Sequence, residues 1–153
     1  MPTFHHGKST YFAISDMTST LTDISGALRE VSFPVTIDSP ETTAFGSTFK
    51  TYVVGIKDGR FSISGMFDSA ASGADETLNA IYGQDYPSSG ADAAGANGPG
   101  FAFNYGPYGN ASGAIKYSGR VHLVSYQVQG SVGDMVAASC DFQVTSAVTR
   151  GTF

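Results

Sequence analysis

Charge is scarce in this chain, cations are scarcer, and cysteine is almost absent. Only 14% of the 153 residues are charged, and eight are Lys or Arg. Those eight are spread along the sequence without forming a basic stripe, which argues against a protein that reads nucleic-acid sequence through a cationic face. Cys140 stands alone, so no intramolecular disulfide staples the fold. No apolar run approaches the roughly 20 residues needed to span a bilayer. Residues 1–8, MPTFHHGK, lack the apolar stretch of a secretory signal. We therefore expect a product made and used without export and without a membrane.

Aromatic carbon is plentiful. Eleven Phe and eight Tyr accompany a net charge of −5. Chains too polar to fold are poor in such residues, whereas this one has the material for a core. A single domain spanning 1–153 is expected. At that size it buries roughly 70% of the surface its unfolded chain exposes and needs no staple.

The periodicity is that of strands. TYFAIS (10–15) is short, and the polar stretch 16–25 offers Leu21 and Ile24 as anchors. REVSFPVTI (29–37) alternates, with Val31, Phe33, Val35 and Ile37 on one face. Pro34 cannot donate to a ladder, which places this strand at an edge or a bulge. DSPETTAFGSTF (38–49) is rich in turn formers and reads as a long loop or an extended hairpin arm. KTYVVGIKDGRFSISG (50–65) predicts a strand over 51–56, a turn at Asp58-Gly59 and a return strand over 60–67. The reason is that a type I′ turn needs positive φ, which Asp and Gly tolerate.

One helix is expected, over 72–82. Ser72 and Asp75 resemble a capping box, and Asp75 and Glu76 suit the positive end of the helix dipole. Leu78, Ile81 and Tyr82 share a face, and Gly83 is the stop. The Gly-, Ala- and Ser-rich residues that follow, from 84 to about 113, open with a flexible insertion or a loop ordered by a neighbour. Strands resume at Phe101, Phe103 and Tyr105, then over 117–129 and 135–148, with a turn at 130–134. In the last strand Val136, Ala138, Cys140, Phe142 and Val144 share the apolar face. About seven strands and one helix describe a mostly β fold: an antiparallel β-sandwich or open barrel with one flanking α-helix.

No catalytic, cofactor or metal site emerges. His5 and His6 are adjacent and point to opposite faces of an extended chain. His122 sits mid-strand without a nucleophile elbow. Cys140 packs as a small hydrophobe. The carboxylates Asp16, Asp23, Asp38 and Glu41 lack the fixed spacing that glycoside chemistry needs. GPGFAFNYGPYGNASG (98–113) has Gly-x-Gly spacing but opens no helix, so it fails as a phosphate loop. A β domain with long polar arms and edges to hide remains, and pairing with copies of itself hides edges.

The order of short motifs resembles one family. TTAFG (42–46), KTYVVGIKD (50–58) and SISG (62–65), followed late in the chain by VHLVSY (121–126) and FQVT (142–145), are similar to the signature of long-tailed phage tail tube, or major tail, proteins. The resemblance implies the fold shared with type VI secretion tubes. It also implies six copies joined in a ring, rings stacked into a tube, contacts to other virion proteins, and passage of double-stranded DNA without sequence-specific binding. The particle would be assembled in the bacterial host cytoplasm. In that family an arm between early strands contacts the next ring. By position the arm is 38–52 here, with Asp38, Glu41, Thr42, Thr43, Phe45, Phe49 and Tyr52 as candidate self-assembly residues. A negative lumen suits the role, since each phosphate contact would hold DNA back. The same fold would also suit a capsid decoration or head–tail joining protein. A carbohydrate- or host-binding module using Tyr105, Tyr108 and Tyr117 is the reading of a different class.

Overall fold

The computed structural model describes residues 1–93 and 97–153; of the Gly-rich segment, 94–96 lie outside the described residues. The strands are β1 (Tyr11–Ser15), β2 (Leu21–Asp23), β3 (Leu28–Ser32), β4 (Val35–Ile37), β5 (Lys57–Met66), β6 (Phe101–Gly106), β7 (Ile115–Gln129), β8 (Ala137–Val144) and β9 (Thr149–Thr152). The helix α1 is Ala74–Ile81. All strand pairs are antiparallel, in the order β2-β1-β6-β7-β8-β5-β3. β4 adds to β5, and β9 adds to β7.

This single sheet curls on itself. Phe12 of β1 and Phe61 of β5 sit near opposite ends of the strand order, yet their rings are 5.8 Å apart. Phe12 also meets Phe142 at 6.1 Å, and Phe61 meets Phe103 edge to face at 4.6 Å. The two ends of the sheet face each other across a shared core without pairing among the described residues, as expected of an antiparallel β-sandwich or open barrel. Its interior is the fully buried set Phe12, Phe61, Phe101, Phe103 and Phe142, with Ile14 and Val121. Each such side chain stabilises the fold by roughly 1.5–3 kcal/mol relative to exposure. The alternation read from FAFNY and from the Cys140–Phe142 face supplies several of them.

Residues 29–37 do not form one strand. The ladder breaks at Phe33-Pro34, as a missing N–H requires, but its register on β5 continues: Ser32 faces Ser62 and Val35 faces Gly59. β3 ends the strand order, so the edge position expected from Pro34 is observed.

The turn expected at Asp58-Gly59 is not there. Both residues lie inside β5, opposite Thr36 and Val35. Gly59 is there for space: a Cβ would stand 3.2 Å from Val144 and 3.4 Å from Phe33. Asp58 accepts a 2.6 Å hydrogen bond from the Gln143 amide on β8. Strand partners won over the local turn preference. The chain reverses instead at Phe45-Gly46, where Gly46 has φ +91°. Residues 51–56 are the outgoing leg of that reversal, with an isolated bridge between Glu41 and Tyr52.

The helix begins later than expected. Gly73, not Ser72, is the N-cap, and the Ser72 N–H donates to the Glu76 carboxylate. Asp75 instead accepts a 2.6 Å bond from the Tyr126 hydroxyl on β7, tying helix to sheet. Leu78 and Ile81 are buried, but Tyr82 is 52% exposed. Ile24 is buried as expected, whereas Leu21, in the unexpected strand β2, is exposed. β9 was also unexpected, since TRGT carries no apolar alternation.

The described part of the Gly-rich loop is held by its neighbours. Met17 O accepts the N–H groups of Ser88 and Ser89 at 2.8 and 3.1 Å, and the Ser19 hydroxyl donates to Ser89 O. Asp92 forms a buried ion pair with Arg120 of β7 at 3.2 Å, and the same guanidinium donates to Gly100 O at 2.8 Å. Residues 88–92 thus form a strap anchored to Met17, Ser19 and Arg120 of β7.

Candidate assembly surface

Between β4 and β5 the long hairpin leaves the sheet. Its root is closed by Asp38 N–H to Ile56 O at 3.0 Å and Gly55 N–H to Asp38 O at 2.6 Å. Further out, Val53 N–H donates to Pro40 O at 3.1 Å and Thr42 N–H to Thr51 O at 2.8 Å. The hydroxyl of Thr42 donates to that of Thr51, and Thr43 accepts from the Thr51 N–H. The result is a two-legged ribbon projecting from the barrel.

Nothing among the described residues covers it. Every residue from 34 to 54 is exposed. Phe45 at the turn is fully exposed, Phe49 is 83% exposed, and Val54 and Ile56 are 76% and 79% exposed. Val35, Ile37, Tyr52 and Val53 add half-exposed apolar surface near the root. A two-stranded ribbon has marginal stability in water by itself. Apolar residues clustered on one projecting feature mark a docking surface rather than scatter. Lys50 and Glu41 bridge the legs at 3.2 Å, which stabilises the ribbon little at this exposure.

All seven candidate assembly residues lie on this ribbon: Asp38 at the root, Glu41, Thr42, Thr43 and Tyr52 along the legs, Phe45 at the turn and Phe49 beside it. Asp58 and Gly59 do not belong to it. Sequence reasoning missed Val53, Val54 and Ile56 because 51–56 was read as a strand of the barrel. A signal was present: Tyr52, Val53 and Val54 are apolar at successive positions, which gives both faces of a ribbon an apolar character instead of one.

The groups weighed for chemistry are engaged elsewhere. His5 stacks on Tyr108 with ring centroids 4.0 Å apart, and His6 accepts the Lys8 N–H. Tyr105 and Tyr117 stack at 6.2 Å, and Tyr105 packs edge to face on Phe61, so Tyr105 is committed to the core side and no three-tyrosine platform forms. Among the described residues no three His, Cys, Asp or Glu side chains converge. Burial pushes the Cys140 thiol well above its ordinary value, and the charge of Asp141 adds to this.

No protein-family model and no curated protein sequence matches the chain. Solved structures do. A chain from the tail of an empty gene transfer agent particle with C6 symmetry superposes with a TM-score of 0.74 at 13% identity, covering 97% of this chain and 100% of that one. The SPP1 tail tube matches with 0.71 at 10% identity, over 98% of this chain and 80% of that one. A chain of the sheath–tube complex of PVC, an extracellular contractile injection system, matches with 0.65 at 9% identity, over 98% and 93%. The likeness runs across nearly the whole length of this chain, at identities where only the fold carries over. The chain has the fold of phage tail tube proteins.

Proposed function

We propose that this chain is the tail tube subunit of a long-tailed phage particle, with six copies per ring and rings stacked into the conduit through which DNA leaves the head. It acts as building material and carries no catalytic residue. The observation that carries this reading is the projecting ribbon at 38–56, which exposes Phe45, Phe49, Val54 and Ile56 with no surface among the described residues to cover them. The tail-tube fold and the C6 symmetry of a similar particle's tail support the same reading. The net charge of −5 suits a wall that lets polyanionic DNA pass without holding it.

Removing residues 40–49 tests it. The barrel keeps its core, so the variant folds as a monomer and does not polymerise. Normal tubes from the deletion, seen by negative-stain microscopy, would refute the role of the arm. Copy number per particle separates a tube from a capsid decoration: tube copies scale with tail length, decoration copies with lattice sites.

A further inference from the structure

The helix closes one end of the curled sheet, over Ile63, Cys140 and Tyr126. At the other end the strands splay apart. The root of the arm diverges from β9, and between them lies an open cleft of about 640 Å³. Its floor is aromatic and aliphatic: Phe33, Val144 and Val148, which pack against the core, and Tyr117, whose ring meets Phe33 at 6.4 Å. One wall is Val35 and Ile37 of β4. The other is the segment from Val144 to Val148 with Arg150 of β9, and Lys57, Asp58 and Arg150 add charge at the rim; β9 pairs with β7 on one side and has no strand partner on the other among the described residues. Phe33 stacks flat on Phe61 at 3.9 Å, so the cleft opens directly onto the aromatic core.

We infer that this cleft receives the arm tip of a second copy of the chain, residues 42–49 with Phe45 and Phe49. This inference rests on the tube reading and adds to it the acceptor that the arm requires. The tip and the cleft are complementary in kind. TTAFGSTF carries no charge and two exposed aromatic rings, and the floor offers aromatic faces with unpaired strand backbone beside them. Two Phe side chains bury about 150–250 Å² each, a substantial part of the roughly 800 Å² that each partner contributes to a stable interface. The donor must come from another molecule. From Ile37 to Phe45 the ribbon rises about 3.3 Å per residue, which carries the tip some 25 Å away from the cleft at its own root. Because tip and cleft are different surfaces of one chain, the contact is head-to-tail. Such a contact repeats from copy to copy, closing rings or continuing as a filament.

The test places a photoreactive p-benzoylphenylalanine at position 35, in place of Val35, in the full chain. Isotope-labelled and unlabelled protein are mixed, allowed to assemble, irradiated and digested. The expected product is an intermolecular crosslink to the peptide containing 42–49, found between labelled and unlabelled copies. A crosslink to residues 1–8, where Phe4 is also exposed, to any other segment, or to none in assembled material overturns the cleft assignment while leaving the arm reading intact. Tubes formed by the 40–49 deletion overturn the arm reading itself. A second variant guards against failure of the probe. Val35→Asp, at a half-exposed edge position, is expected to fold and to lose assembly at least tenfold in critical concentration. Unchanged assembly contradicts the proposal.

Discussion

At position 65 a carbonyl oxygen leaves no room for a side chain. A Cβ there would stand 2.0 Å from Ala27 O and 2.8 Å from Leu28 Cα. Gly65 lets the turn before β3 lie directly on β5, where the β3 register shifts between Leu28 and Glu30. Gly65→Ala must push backbone, and overpacking of this kind destabilises by about 1–3 kcal/mol. The urea midpoint should fall with an unchanged slope. An unaltered midpoint would show that the turn moves freely. Cys140 is the other single-residue case. Its raised thiol value, caused by burial first and Asp141 second, means that the unfolded chain ionises before the native one. The neutral buried thiol therefore contributes fully below the ordinary thiol value of 9.0, and that contribution declines as pH rises above it. A thiol reagent at pH 8 should label the protein only as urea unfolds it. Prompt labelling of the native chain would contradict the packing. The inward face of Cys140 was readable from alternation alone. The close approach at Gly65 was not, because it depends on where a distant turn comes to rest.

Among the elements, the strap and the hairpin teach different lessons. Arg120 is only 7% exposed and is held by Asp92 and Gly100 O. Replacing Asp92 with Asn strands a buried guanidinium, a change that destabilises by roughly 3–5 kcal/mol when one partner of a buried pair is lost. Adding Arg120→Met should recover part of that loss, because the uncompensated charge is gone. If Asp92→Asn leaves thermal stability intact, the strap is not anchored by this pair. Nothing in the sequence announced the pair, since Asp92 and Arg120 are far apart and belong to no shared period. The hairpin was half legible. A hairpin arm over 38–49 was one of the two readings of that stretch, and it exists, but the hairpin expected between 51–56 and 60–67 does not. The reversal was assigned to Asp58-Gly59 because dipeptide preference is a local signal, while the pairing of β5 with β4 and β8 is not. Phe45-Gly46 won because the ladder from β3 through β4 keeps its register on β5 past that point. The helix cap also departs from the local signal: Ser72 has a φ of 60° and its N–H goes to Glu76, while Asp75 accepts from Tyr126 on β7.

For the whole molecule, composition and alternation made the β class, the lone helix and the aromatic core legible. The curl was not, because it is fixed by contacts such as Phe12 with Phe61 between strands at opposite ends of the order. The candidate site was legible as an arm rich in Thr and Phe. Its second leg was hidden by reading as an ordinary strand. On the proposed function, a chain that exposes Phe45, Phe49, Val54 and Ile56 on one projection holds together through its own core and is completed by its neighbours. Replacing both Phe45 and Phe49 with Ser should therefore leave melting temperature within a few degrees, as surface changes do, while abolishing polymerisation in a sedimentation assay. A large loss of melting temperature would mean that the tip packs within its own chain. The most direct measurement is electron microscopy of the purified chain across a concentration series. The account predicts hollow tubes of stacked six-fold rings above a threshold concentration. Isolated monomers at every concentration would contradict it.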